Sequence, residues 1–135
     1  MGYTHYFTIK EVPPQEAQDK VLRAAKAIVD YAKTELGLAI EDLSDTVINI
    51  NGAPPDDYET FYVDFSELGF EFCKTNGKPY DIVVVAILCA MGDIVGSYYV
   101  DISSDGGPDD WEAGQALACE ALNTAIDMPA SMPIY

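Results

Sequence analysis

The hydrophobic positions along the chain recur with two different periods, and each period predicts a type of element. Between residues 14 and 38 the apolar residues recur every three or four positions, which predicts a helix with one buried face. Between residues 3 and 9 β-branched and aromatic residues alternate with polar ones, which predicts a half-buried strand. The same reasoning predicts further helices at 80–95 and 109–126, and further strands at 47–51, 60–65, 70–74 and 97–103.

The order of these elements predicts the fold class. It reads β-α-β-β-β-α-β-α, and strands that follow one another through short turns usually pair antiparallel. We therefore expect an α+β domain with a single mixed, mainly antiparallel five-stranded sheet packed by helices. The helix at 80–95 is apolar on almost every side, so it should be the most buried. The 135 residues predict one domain, 1–135, with an irregular tail at 128–135.

The composition excludes several functional classes. Seven basic residues stand against 23 acidic ones, for a net charge of −16, which argues against direct nucleic-acid binding or an anionic membrane surface. The longest apolar run, at 82–92, is shorter than the roughly 20 residues that a membrane span needs. Three cysteines without CxxC spacing and one histidine argue against a zinc site, and no cofactor is expected. With no secretory signal pattern at the N-terminus, we expect a cytoplasmic protein.

Two lysines are isolated within the acidic part of the chain. Beyond residue 33 the only basic residues are Lys74 and Lys78, which flank the start of the predicted buried helix. Two ammonium groups, the Thr75 hydroxyl, a glycine turn and free helix N–H groups would suit an anion. The alternative is that the lysines pair with neighbouring carboxylates such as Asp81.

The segment 101–112 matches the oxygen spacing of an EF-hand calcium loop, with Gly106 at the sixth position. Its context differs, because a strand precedes it, Ser103 occupies the third position and Pro108 the eighth. We expect no bound calcium there, and acidic groups that cap a helix instead.

Catalytic motifs are few. A Ser–His–acid or Cys–His–acid arrangement would have to use His5, with Cys73 or Ser104 as the nucleophile, and no sequence spacing supports either. A strand histidine among aromatic residues is more often structural. We therefore predict no catalytic residues.

Several motifs together resemble those of one family. A widespread family of small phage and prophage proteins has similar motifs to five pieces of this chain: the opening residues GYTHY, Asn51-Gly52, Glu59-Thr60-Phe61, the segment FCKTNGKPYD at 72–81, and Ser104-Asp105-Gly106 followed by Asp110-Trp111. The resemblance implies a phage origin and a bacterial host cell, but no assigned activity. The Asn76-Gly77 spacer departs from the arginine-containing form that is more usual in this family.

The resemblance indicates which polar residues belong to the shared motifs. Donors, acceptors and aromatic faces of these types suit a pocket for a flat, polar, anionic ligand such as a nucleotide. The alternative is a hydrogen-bonded network that fixes loops. The candidate ligand-binding residues are His5, Tyr6, Asn51, Glu59, Lys74, Thr75, Lys78, Tyr80 and Asp105.

Three functions are compatible with these observations. The first is a non-enzymatic phage protein that sequesters a nucleotide-like metabolite or immune signal as a counter-defence factor. The second is an acidic inhibitor that mimics nucleic acid and binds a host defence or DNA-handling protein. The third is a nucleotide-processing enzyme. The acidity would also fit a high-salt host, and the oligomeric state stays open.

Overall fold

The α+β prediction is confirmed by a computed structural model, which describes residues 3–42 and 44–129. The predicted tail at 128–135 lies outside the described residues from position 130 onwards. The elements are β1 (Thr4–Ile9), α1 (Gln15–Glu35), β2 (Ile40–Asp42), β3 (Ile48–Gly52), β4 (Phe61–Val63), β5 (Gly69–Lys74), α2 (Asp81–Val95), β6 (Val100–Ser104) and α3 (Pro108–Leu122).

The strands form two sheets, so the prediction of a single five-stranded sheet is wrong. One sheet has the order β5-β1-β6 and the other β2-β3-β4, and all of their pairings are antiparallel. The short strand β2 was not predicted.

The consecutive strands β4 and β5 belong to different sheets, and a bonded loop explains why. The backbone N–H of Lys74 donates to the Glu59 carboxylate at 2.7 Å, and its carbonyl accepts the Glu59 N–H at 3.2 Å. Because backbone groups alternate in direction along a strand, these bonds lie on the edge of β5 that faces away from β1. At this end of β5 the loop before β4 therefore takes the place of a neighbouring strand.

The prediction that the second helix is the central one is confirmed. Residues 83–91 of α2 are each no more than 1% exposed, and α2 packs against α1, α3 and β6. The two sheets meet within the same core, where the rings of Phe7 and Phe61 lie edge to face at 5.9 Å. In the part of the chain that the structure describes, no helix is both long and apolar enough to cross a membrane.

Helix α3 ends at Leu122, four residues before its predicted end. Asn123 has a φ of 52°, a left-handed conformation that asparagine tolerates and that stops a helix. The chain then folds back, so that Ile126 is buried and its carbonyl accepts a hydrogen bond from Gln115 at 2.9 Å.

The contact between α2 and α3 depends on the absence of a side chain at Gly114. A Cβ there would overlap Val85 Cγ1 and lie 2.6 Å from Val85 Cβ. We expect Gly114→Ala to lower the free energy of unfolding by about 1–3 kcal/mol through overpacking. Urea denaturation measures this change.

Gly92→Ala is the matched control, because Gly92 is also helical. Its added Cβ would lie 3.3 Å from Ile102 Cδ1, the end of a flexible side chain. Alanine is the better helix former by roughly 1 kcal/mol, so this variant should be neutral or more stable. Equal stability of the two variants would contradict the proposed close packing of α2 and α3.

Candidate functional site

A buried polar network joins β1, the connection from β5 to α2, and the end of β6. Its centre is the His5 side chain, which has no exposed surface. Its Nε2 lies 2.6 Å from Asp81 Oδ1, and its Nδ1 lies 2.8 Å from Ser104 Oγ. The buried Thr75 hydroxyl donates to the same Asp81 oxygen at 2.5 Å. Four side chains thus hold β1, the loop after β5, the start of α2 and the end of β6 together.

Aromatic rings enclose this network. Tyr3 and Trp111 meet the His5 ring edge to face at centroid distances of 4.9 and 5.4 Å. Burial raises the pKa of the Tyr3 phenol to about 12, and the Asp81 carboxylate also raises it. Trp111 is fully buried, and its Nε1 finds no hydrogen-bond partner within residues 3–42 and 44–129. The His5 ring therefore contacts two aromatic rings, while both of its nitrogens have polar partners.

Glu59 and Tyr80 form a second group of fixed residues. The Tyr80 hydroxyl donates to the Glu59 carbonyl, and the Cys73 thiol lies 3.5 Å from the same oxygen. Burial raises the pKa of the Cys73 thiol to about 12 and raises the pKa of Tyr80 well above its usual range. Both groups are therefore neutral near pH 7 and serve as packed, hydrogen-bonded parts of the core.

Asn51 fixes the loop that carries Glu59. Its Oδ1 accepts the N–H of Gly52 at 2.8 Å and that of Tyr58 at 3.1 Å. Its Nδ2 donates to the carbonyl of Tyr58 at 3.0 Å and to the hydroxyl of Thr60 at 3.2 Å. All of these bonds hold the chain between β3 and β4.

The motif residues thus fall into two sets. Five of them hold loops through the bonds just described, as the alternative of a loop-fixing network expects: His5, Asn51, Glu59, Thr75 and Tyr80. The other four, Tyr6, Lys74, Lys78 and Asp105, retain side-chain surface that a ligand could contact, and so do Glu59 and Asn51 of the first set.

The outer face of the β5-β1-β6 sheet carries three aromatic rings, which we call the aromatic face: Tyr6, Phe70 and Phe72. Phe70 and Phe72 are 60% and 58% exposed. The Tyr6 and Phe70 rings stack at 5.9 Å with 22° between their planes, and the Phe70 and Phe72 centroids lie 6.3 Å apart. An exposed group of rings of this kind usually marks a binding surface.

Lys74 lies at one end of the aromatic face. It follows Phe70 and Phe72 at two-residue spacing, so its side chain shares their side of the sheet. Its Nζ lies 5.8 Å from the centroid of the Tyr58 ring, which is itself exposed. At another edge, Asp105 accepts hydrogen bonds from the Tyr6 hydroxyl at 3.0 Å and from the Thr4 N–H at 3.2 Å. The aromatic face therefore has the Lys74 ammonium group at one end and the Asp105 carboxylate at another edge.

The lysines do not pair with Asp81, so that alternative is wrong. The Asp81 carboxylate is engaged by His5 and Thr75. Within residues 3–42 and 44–129, no carboxylate oxygen lies within 4.0 Å of Lys74 or Lys78. Both ammonium groups keep their charge available to a ligand.

The acids of the calcium-like segment bind other groups. Asp101 pairs with Lys10 at 3.3 Å, and Asp110 accepts the Gly107 N–H at 3.0 Å in the first turn of α3. Among the described residues, no three histidine, cysteine or acidic side chains are grouped as a metal site would require. The absence of bound calcium stays a prediction.

The aromatic face was not predicted from the sequence, although its signal was present. Phe70, Glu71 and Phe72 alternate as a strand does, and that pattern does not reveal which side is covered. Only the burial of Phe7 and Cys73 on the opposite face of the sheet shows that the phenylalanines face solvent.

Comparison with known proteins finds no matching family model, no matching curated protein and no matching solved structure. The resemblance to small phage proteins therefore stays a prediction.

If the network around Asp81 holds the loops, removing one donor should destabilise the fold. Thr75→Val keeps the shape of the side chain but removes the hydroxyl that bonds Asp81. Because a partly buried carboxylate then loses a partner, we expect the free energy of unfolding to fall by about 1–3 kcal/mol. Thr8→Val on the outer face of β1 is the control and should change stability little. Equal stability of the two variants in urea would show that the network is not required.

Proposed function

We propose that the protein binds a small, planar anion of the nucleotide type on the aromatic face, without turning it over. The observation that carries the proposal is the exposure of Phe70 and Phe72 next to the partly exposed Tyr6, beside an ammonium group that has no ion pair among the described residues. Nucleobases stack on exposed aromatic side chains, and each such contact stabilises a complex by about 1–3 kcal/mol. RNA-binding sheets use open aromatic faces in the same way.

The charge distribution favours a small ligand over a polynucleotide. With a net charge of −16, the surface repels a chain of phosphates at long range. At physiological ionic strength this repulsion decays over roughly 8 Å, so a ligand with few charges is affected mainly by its near neighbours. Lys74 at the aromatic face is the nearest candidate for a phosphate contact, and Lys78 beyond the turn is the second.

The resemblance to phage proteins supports a biological role for this binding. A phage protein that sequesters a nucleotide signal would lower its free concentration in the host and so blunt a defence response. Binding alone is sufficient for that role, and no catalytic group on the aromatic face is needed.

A nucleotide panel tests the proposal. Mononucleotides, cyclic mononucleotides and cyclic dinucleotides should be screened by thermal shift, and any binder measured by calorimetry. Lys74→Ala and Phe72→Ala should each weaken binding about ten- to a hundredfold, because each removes a charge-assisted or a stacking contact. Stability should change little, since both side chains have solvent-accessible surface.

Two variants serve as matched controls. Lys33→Ala removes an exposed lysine of α1, and Leu68→Ala removes an exposed apolar side chain from the turn before β5. Neither should alter affinity. If no nucleotide raises the melting temperature, or if all four variants bind equally, the aromatic face is not a nucleotide site.

A serine hydrolase is a second candidate, favoured by the line of hydrogen bonds from Ser104 through His5 to Asp81. If the Nε2–H of His5 donates to Asp81, its Nδ1 can accept a hydrogen bond from the Ser104 hydroxyl. This is the arrangement of a catalytic triad, except that the two ring nitrogens have exchanged roles. Two features oppose it. His5 is fully buried, and Ser104 Oγ already accepts the Gly106 N–H at 3.0 Å.

A fluorophosphonate probe separates the two candidates, because it labels serines that a neighbouring base activates. We expect no labelling of the folded wild-type protein. Labelling that mass spectrometry places on Ser104, and that Ser104→Ala but not Ser103→Ala abolishes, would establish the hydrolase and contradict binding without turnover.

A further inference from the structure

A cavity of about 400 Å³ lies where α1, the end of α2 and the chain after α3 come together, away from the aromatic face. This size is near the lower end of small-molecule sites. Its walls are mainly apolar, from Ala24, Ile94, Leu122, Ala125 and Ile126, and its charged lining residues are Lys20, Arg23 and Asp93.

The two cations of the cavity lack the partners that the sequence offers them. Glu16 and Asp19 precede Lys20 and Arg23 by four residues, a spacing that favours ion pairs on a helix. In the described ranges 3–42 and 44–129, however, no carboxylate lies within 4.0 Å of either cation. Asp19 instead accepts a hydrogen bond from Gln15 at 3.0 Å.

This combination defines the chemistry of an occupant. Apolar walls bind a hydrocarbon body, and the cations bind a negatively charged head. Asp93 and the partial negative charge at the end of α3 offset part of the positive potential, which favours a head with a single charge. We propose that this cavity binds a small amphipathic monoanion, a carboxylate on a short hydrocarbon chain. This site is independent of the nucleotide proposal.

A structural role for the cations is the competing explanation. Lys20 and Arg23 could simply compensate the carbonyl groups at the end of α3. Their removal would then lower the stability of the protein, and no carboxylate would bind.

The test uses sodium octanoate as the probe, with 1-octanol and octylammonium as controls of the same chain length. Nitrogen-15 chemical shifts of the full chain should change in a saturable way at Ile94, Leu122 and Ile126. Arg23→Gln should weaken octanoate binding about tenfold or more, because it removes the charged contact. Lys33→Gln, a neutral replacement on the same helix outside the cavity, should leave the affinity unchanged.

Three results would overturn the proposal. The first is a lack of saturation up to about 10 mM octanoate, a concentration at which a usable site would be filled. The second is binding of 1-octanol or octylammonium as tightly as octanoate. The third is octanoate affinity that Arg23→Gln and Lys20→Gln leave unchanged, whatever their effect on urea unfolding.

Discussion

The rest of the structure depends on the hydrogen bonds that the Asp81 carboxylate, at the start of α2, makes with His5 and Thr75. Helix α2 is apolar on almost every side, so hydrophobic burial does little by itself to fix its rotation or its position along its axis. The bonds of Asp81 to His5 and Thr75 supply that fixed point. A carboxylate in the first turn of a helix also interacts favourably with the helix dipole. Buried polar groups of this kind are costly unless fully paired, and here the pairing specifies one arrangement of the core.

The same bonds explain how the surface is displayed. Thr75 is held by Asp81, and its backbone N–H donates to the Tyr3 carbonyl at 3.1 Å, so the turn that carries Lys78 leaves the sheet along one fixed path. Glu59 fixes the adjacent loop against the end of β5. Lys74 and the aromatic face therefore project from a rigid edge. Rigid rings lose little conformational entropy on binding, which favours recognition by stacking.

The parts of the fold that depend on local patterns could be predicted from the sequence. Periodicity located α1 and α2 within a few residues, because a long run of apolar residues at helical or continuous spacing has few alternatives. The division into two sheets could not be predicted, since it involves contacts between residues distant in sequence, such as Glu59 with Lys74. Strand β2 has only three residues, and the early end of α3 depends on the conformation of Asn123.

The candidate site, like the fold, could be predicted only in part from the sequence. The polar motif residues indicated a network, and five of them do hold loops. Their chemistry alone did not separate residues that hold a loop from residues that contact a ligand. His5 and Tyr6 illustrate this point, because they are neighbours in one motif and on one strand. His5 faces the core and Tyr6 faces solvent, and only the pleat of the strand separates their roles.

The acidity of the chain limits how the proposed anion could be bound. Long-range attraction is excluded by a net charge of −16, so affinity has to come from contacts made at short range. Stacking is such a contact, because it depends on apolar area and ring geometry and is insensitive to the surrounding carboxylates. The Lys74 ammonium group beside the rings would then make the protein bind a charged nucleotide more tightly than a neutral base. On the proposed binding mode, an acidic protein would discriminate a small nucleotide from a nucleic acid, because the additional phosphates of the longer ligand would meet mainly carboxylates once Lys74 and Lys78 are engaged.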